Sequence, residues 1–237
     1  MLKANDDRAP SSGTSARWTQ IYDDLKAAIL AHAISPGTKL PEDELGEVYS
    51  VSRTLVRAAL QALAHDRLVQ LEPNRGAFVA KPTKREAREV FEARAIIEPK
   101  VAAMAAAIAK PADVKLLRKH LDEEHKAIHD GRQGDAIMLS ARFHEGIAEI
   151  AGQSILTDII RSLCSRSALI ISLYSRRADT FCESHAHLAL VDAIAQNSEL
   201  DASELMTSHL VDLLSGIDVS ESAAPQRKLS DILRGKH

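Results

Sequence analysis

Two groups of residues in this sequence have the types and spacing to do chemistry. The first is Ser52-Arg53-Thr54-Leu55-Val56-Arg57, followed further on by the turn Pro73-Asn74-Arg75-Gly76. Arg53 and Arg57 are four residues apart and share one face of a helix. A guanidinium there can fork onto guanine O6 and N7 or onto phosphate. The hydroxyls of Ser52 and Thr54 can donate to phosphate oxygens. Gly76 permits a tight turn and Arg75 sits beside it, where a wing would reach the minor groove or the backbone. The second group is His144, His187 and His209, the last two 22 positions apart. Neutral imidazoles gathered in a cavity suit Zn²⁺, Ni²⁺ or a similar divalent ion. Single histidines on helices are more often hydrogen-bonded core or surface groups, so the metal reading depends on the three meeting in space.

The elements that must position these residues follow from periodicity and punctuation. Ile21, Leu25, Ala28 and Ile29 recur at helical spacing, which predicts an amphipathic helix over about Trp18 to His32. Ser35-Pro36-Gly37 then makes a turn. Pro41 opens a second short helix, where its missing N–H costs nothing. Ser52 is placed to cap a third, which runs to about His65. Leu68-Val69-Gln70-Leu71 and Ala77-Phe78-Val79-Ala80 read as two strands of a hairpin closed by Pro73–Gly76. Three helices and a hairpin make a winged helix-turn-helix. Beyond Lys81-Pro82, Thr83 can cap a long helix interrupted in pattern by Pro99, where a kink is expected. Helices over about Asp113–His129, Asp135–Ile150, Ile155–Tyr174, Glu183–Gln196 and Asp201–Ser215 complete a bundle of about six. The fold class is therefore mainly α. A winged helix-turn-helix (17–81) precedes an all-α effector and dimerisation domain (83–217), between a disordered arm (1–16) and a polar tail (218–237).

Composition sets the outer limits. With 237 residues, 45% hydrophobic and 27% charged, the chain has the profile of a soluble globular protein with two domains. The net charge of −3 carries no global nucleic-acid signature, and between Arg17 and Lys81 eight basic residues face eight acids. DNA binding must then come from how those charges are segregated, with weak, salt-dependent half-sites coupled in a homodimer. Cys164 and Cys182 are too few for a disulfide framework and suit a reducing cytoplasm. The polar start excludes a secretory signal, and Leu163 to Tyr174 is too short and too polar to span a membrane.

Pro36-Gly37-Thr38-Lys39-Leu40, Glu42-Asp43-Glu44-Leu45, Val51 through Arg57 and Asn74 through Val79 closely resemble the DNA-binding domain of GntR-family regulators, from about Trp18 to Val79. The resemblance implies that Arg53, Thr54 and Arg57 contact operator DNA and that Gly76 is the wing glycine. Asp43 stands where many members carry a phosphate-holding arginine, and Leu55 replaces a common proline. From about Thr83 to Ile217 the chain resembles the FCD domain of the FadR subfamily. Glu92-Ala93-Arg94, Ile97-Glu98, Phe143-His144, Ala151-Gly152, His187 through Ile194 and Met206 through Leu210 carry that likeness. It implies metal ligation by His144, His187 and His209. Ser140 occupies the position of the family's aspartate ligand, and Gln153 replaces an asparagine after Gly152. Arg94 falls where the family turns an arginine toward the cavity. It is either a clamp for a carboxylate effector or the partner of Glu98 one helical turn on.

These readings describe a cytoplasmic, non-enzymatic repressor of operator DNA, modulated by a small organic acid. A metal-dependent hydrolase using Glu98 or Glu145 as base is the competing class, but the chain carries no nucleophile motif and no phosphate loop. An architectural DNA-binding protein without an effector would leave the polar residues of the helical domain unexplained.

Overall fold

The computed structural model describes residues 12–31, 33–175 and 184–219. The arm expected at the start lies, up to residue 11, outside the described residues. So do Cys182 and the tail from residue 220. Helix α1 (Ser12–Leu30) starts six residues before the expected Trp18. It buries Ile21, Leu25, Ile29 and Leu30 on one face. Helices α2 (Glu42–Tyr49) and α3 (Arg53–His65) form the helix-turn-helix. The turn between them bends at Ser50, whose left-handed φ of 52° lets Val51 N–H reach the Gly46 carbonyl.

The wing has one strand more than the hairpin predicted. Strands β2 (Val69–Glu72) and β3 (Gly76–Val79) pair antiparallel with Val69 opposite Val79, and β1 (Lys39–Leu40) adds to the other edge of β3. Two residues preceding Pro41 give no period-2 signal, which is why periodicity alone does not find β1. At the wing tip Gly76 has φ 102°, a conformation open to glycine and closed to most side chains.

Helix α4 (Lys84–Ile108) opens on a capping box. Glu86 N–H donates to Thr83 Oγ1 at 3.1 Å, and Thr83 N–H donates to Glu86 Oε2 at 2.8 Å. The helix is unbroken and contains Pro99, where a kink is expected. It packs with α5 (Pro111–His129), α6 (Gln133–Ile150), α7 (Ser154–Tyr174), α8 (Ser184–Ala195) and α9 (Glu199–Ser215) around one apolar core. Phe91, Leu117, Phe143, Ile147 and Ile160 are fully enclosed in it. No described helix is long and apolar enough to cross a membrane.

The two halves touch through a continuous apolar seam. Ile137 on α6 and Leu169 on α7 belong to the core formed by α1, α3 and the wing. Gly134 at the start of α6 permits this approach, because a Cβ there would lie 3.1 Å from both the Ala31 amide and its methyl. The helix-turn-helix and wing are thereby fastened to the same two helices that line the histidine site.

Candidate functional site

The bundle brings all three expected histidines together. His144 comes from α6, His187 from α8 and His209 from α9, and each is buried because it takes a core-facing position on its helix. His209 Nε2 lies 3.1 Å from His144 Nε2 and 3.1 Å from His187 Nε2. Behind them stand two buried carboxylates. Glu124 Oε2 on α5 is 3.0 Å from His187 Nδ1. Glu98 Oε2 on α4 is 2.7 Å from His144 Nδ1, at an angle off the ideal line of a hydrogen bond. At that distance two lone pairs would repel, so the Nδ1 hydrogen faces the carboxylate and Nε2 keeps its lone pair.

This arrangement has a consequence for charge. With both Nδ1 hydrogens held by carboxylates, His144 and His187 each turn an acceptor nitrogen inward. His209 Nε2 can carry at most one hydrogen, so it can donate to only one of them. The other contact is lone pair against lone pair at 3.1 Å. A cation at the meeting point removes that repulsion. Tetrahedral ligands with metal–nitrogen bonds of about 2.0–2.1 Å stand about 3.3 Å apart, close to the spacing here. A carboxylate on the far nitrogen of a metal-binding imidazole is the usual way of fixing its tautomer. The residues therefore fit a divalent metal. Of the two carboxylates one shell out, Glu98 is matched by Arg94, and Glu124 brings negative charge to the site that lacks an aspartate at Ser140.

Ionisation agrees with neutral rings at His144 and His209. Burial pushes His144 down to about 3 in spite of the Glu98 carboxylate beside it. Burial, and then the neighbouring His187 and Arg94, push His209 down as well. Burial opposes the charge on Glu98, but the Arg94 guanidinium and His144 outweigh it and hold the carboxyl well below the usual range.

Arg94 is completely buried and grips Glu98 with two nitrogens, Nε on Oε1 at 2.5 Å and Nη2 on Oε2 at 3.2 Å. Its third nitrogen, Nη1, donates to Ser167 Oγ on α7 at 2.9 Å. The i,i+4 ion pair is thus formed, while Arg94 also lines a small cavity with Ser140, His144, His187 and Ser167. The cavity holds about 30 Å³, room for a water or an ion and little else. Cys164 lines it too, and burial raises its thiol, so it stays a neutral S–H.

On the opposite half of the protein, the three expected DNA-reading arginines are exposed and each is paired with an acid. Arg53 Nε contacts Asp43 Oδ1 at 2.5 Å. Arg57 is bidentate on Glu42, at 2.9 and 2.7 Å. Arg75 at the wing tip pairs with Glu72. Asp43, the position that departs from the family pattern, is thus the direct partner of Arg53. Ser52 occupies the N-cap of α3, but its hydroxyl makes no capping bond, contrary to the expected role. Of the first-turn N–H groups of α3, that of Leu55 donates to the Ser52 carbonyl at 3.0 Å, and the Ser52 side chain caps none of them.

Residues 18–79 match the family model of bacterial regulatory proteins, gntR family, and residues 89–212 match that of the FCD domain. The chain belongs to the GntR family, with an FCD domain. Among its relatives is the uncharacterized HTH-type transcriptional regulator YdhC of Bacillus subtilis, 25% identical over 175 residues, 72% of this chain and 78% of that one. The HTH-type transcriptional repressor RspR of Escherichia coli is 33% identical over 144 residues, 61% of this chain and 63% of RspR. A solved structure of a GntR transcriptional regulator from Rhodococcus sp. RHA1 superposes with a TM-score of 0.70 at 26% identity. That superposition covers 84% of this chain and 96% of the other. A GntR regulator with an FCD domain is a DNA-binding transcription regulator, and the hydrolase reading of the histidines falls with that assignment.

The residue that sequence reasoning missed is Glu124. It sits in the run Asp122-Glu123-Glu124, which reads as a solvated face. The available signal was its spacing, since Leu117, Leu121 and Glu124 fall on one stripe and all three are buried. The spacing of Glu98 marks it as a partner for Arg94, and nothing local marks it as the group behind His144.

Proposed function

We propose that this GntR regulator is a metal-containing, ligand-responsive repressor. In this reading its helical domain (83–217) binds a divalent ion such as Zn²⁺ or Ni²⁺ through His144, His187 and His209. The observation that carries it is the convergence of three imidazole nitrogens backed by Glu98 and Glu124. When bound, the ion supplies a Lewis-acid position for an oxygen ligand.

The effector is a small carboxylate entering beside Ser140 and Arg94. The present cavity of about 30 Å³ is too small for it. Its entry must move α7 away from α6, and α7 carries Leu169 in the seam with the DNA-binding half. That displacement changes the orientation of the winged domain (17–81) and hence the operator affinity. Arg53, Thr54 and Arg57 read or hold the operator from α3, Ser52 and the first-turn amides hold phosphate, and Arg75 and Gly76 place the wing. Each arginine must exchange its carboxylate for DNA, which makes single half-sites weak and favours a homodimer on double-stranded DNA. The protein works in the cytoplasm, where the operator is.

Footprinting on the protein's own promoter region tests the DNA half, with Arg53→Ala and Arg57→Ala expected to abolish specific protection. Metal content after purification with added zinc or nickel tests the sensing half. About one ion per chain is expected. Wild-type protein that stays metal-free refutes that half.

A further inference from the structure

A larger cavity than the histidine pocket lies elsewhere in the molecule. It is a cleft of about 480 Å³ between the two halves, within the usual range for small-molecule sites. Its floor comes from the base of the wing (Val69, Gln70, Ala80), the linker (Lys81, Pro82) and the outer side of α7 (Arg166, Leu169, Ile170). Three cations line it: Arg67 from the DNA-binding half, Lys81 from the linker and Arg166 from α7. Arg166 Nε is buried and has no hydrogen-bond partner. Among the described residues, neither Arg67 nor Lys81 makes an ion pair.

The one acid in the lining is Glu86, and its carboxylate is committed to the Thr83 cap of α4. Three cations against one carboxylate leave two positive charges in excess. A guanidinium nitrogen enclosed without an acceptor is costly unless a ligand supplies one. DNA does not supply it, because the cleft lies at the open end of the hairpin, where Val69 pairs with Val79. The turn at Gly76 and the start of α3 are at the other end of their elements.

We infer that this interdomain cleft is a binding site for a small dianion, a phosphate or a dicarboxylate, held between Arg67, Lys81 and Arg166. It is separate from the histidine pocket but shares a helix with it. Cys164, Ser167 and Ala168 of α7 face the histidines, while Arg166, Leu169 and Ile170 face the cleft. A dianion spanning Arg67 and Arg166 ties the winged domain to α7 and so biases the same domain orientation from a second position.

Calorimetric titration of the full chain at constant ionic strength tests this, with inorganic phosphate and succinate as separate probes in chloride buffer. One of the two is expected to bind saturably, which also identifies the source of the charge. Arg166→Met and Arg67→Gly should each weaken binding by about tenfold or more. Arg67→Gly is the safer variant, because Arg67 holds a left-handed φ of 61° that glycine adopts readily. Arg118→Met on the α5–α8 surface, where Arg118 pairs with Asp192, should leave this binding intact. Three results would overturn the inference. They are no saturable binding of either probe, wild-type affinity in both arginine variants, or binding lost in Arg118→Met but kept in Arg67→Gly.

Discussion

Acidifying the metal-free protein should destabilise it well before its carboxylates titrate. His144 has its pKa lowered from 6.5 to about 3 by burial, so the folded chain takes up fewer protons there than the unfolded chain between those values. Stability contributed by the neutral ring is complete above pH 6.5 and is lost as pH falls toward 3. At pH 5 the unfolded histidine is protonated and the folded one is not. The difference, about 1.5 pH units, corresponds to about 2 kcal/mol from this residue alone. His209 is shifted in the same direction and adds to the loss. For a chain of this size, the His144 share lowers the melting temperature by about 4–8 °C between pH 7.5 and pH 5. Thermal unfolding of chelator-treated protein across that range measures it, and His144→Leu should flatten the slope whatever it does to the absolute stability. A melting temperature independent of pH from 7.5 to 5, or an unchanged slope in His144→Leu, would refute the burial of a neutral imidazole cluster.

Three further outcomes follow from other contacts. Glu124→Gln keeps the shape but removes the charge behind His187, and should weaken zinc affinity by about 10–100-fold in a competitive chelator titration; equal affinity would show that Glu124 does not support the site. Gly134→Ala drives a methyl against the Ala31 backbone, and should destabilise the chain by about 1–3 kcal/mol in urea unfolding and open the α1–α6 seam to proteolysis. Wild-type behaviour would mean that the seam is not tightly packed. Asp43→Asn releases Arg53, and should raise DNA affinity at low salt and steepen its salt dependence by about one counterion, whereas no change in either would mean that the Arg53–Asp43 pair does not form in solution.

The fold was legible where local chemistry and tertiary packing agree. Thr83 and Glu86 cap α4 as their spacing predicts, and Ile21, Leu25 and Ile29 bury the face that their periodicity marks. The three histidines could be singled out through the FCD likeness, and each lies on the buried face of its helix. What supports them was harder to read. Glu124 looks like its exposed neighbours until α8 packs over it, and pairing across 63 residues leaves no local trace. The acids facing Arg53 and Arg57 were legible as charges but not as partners, since that pairing depends on the angle between α2 and α3. The short β1 strand and the interdomain cleft arise only when distant elements meet.

In the proposed function the buried histidine site controls the hold on DNA. The most direct measurement is the dissociation constant of the full chain for its own operator, by fluorescence anisotropy at fixed salt, with zinc bound and after chelation. Coupling of about fivefold or more between the two states is predicted, with the difference abolished in His209→Leu. An identical dissociation constant in both states, with metal shown to bind, would contradict the account and leave a DNA-binding protein whose helical domain does not report to its wing.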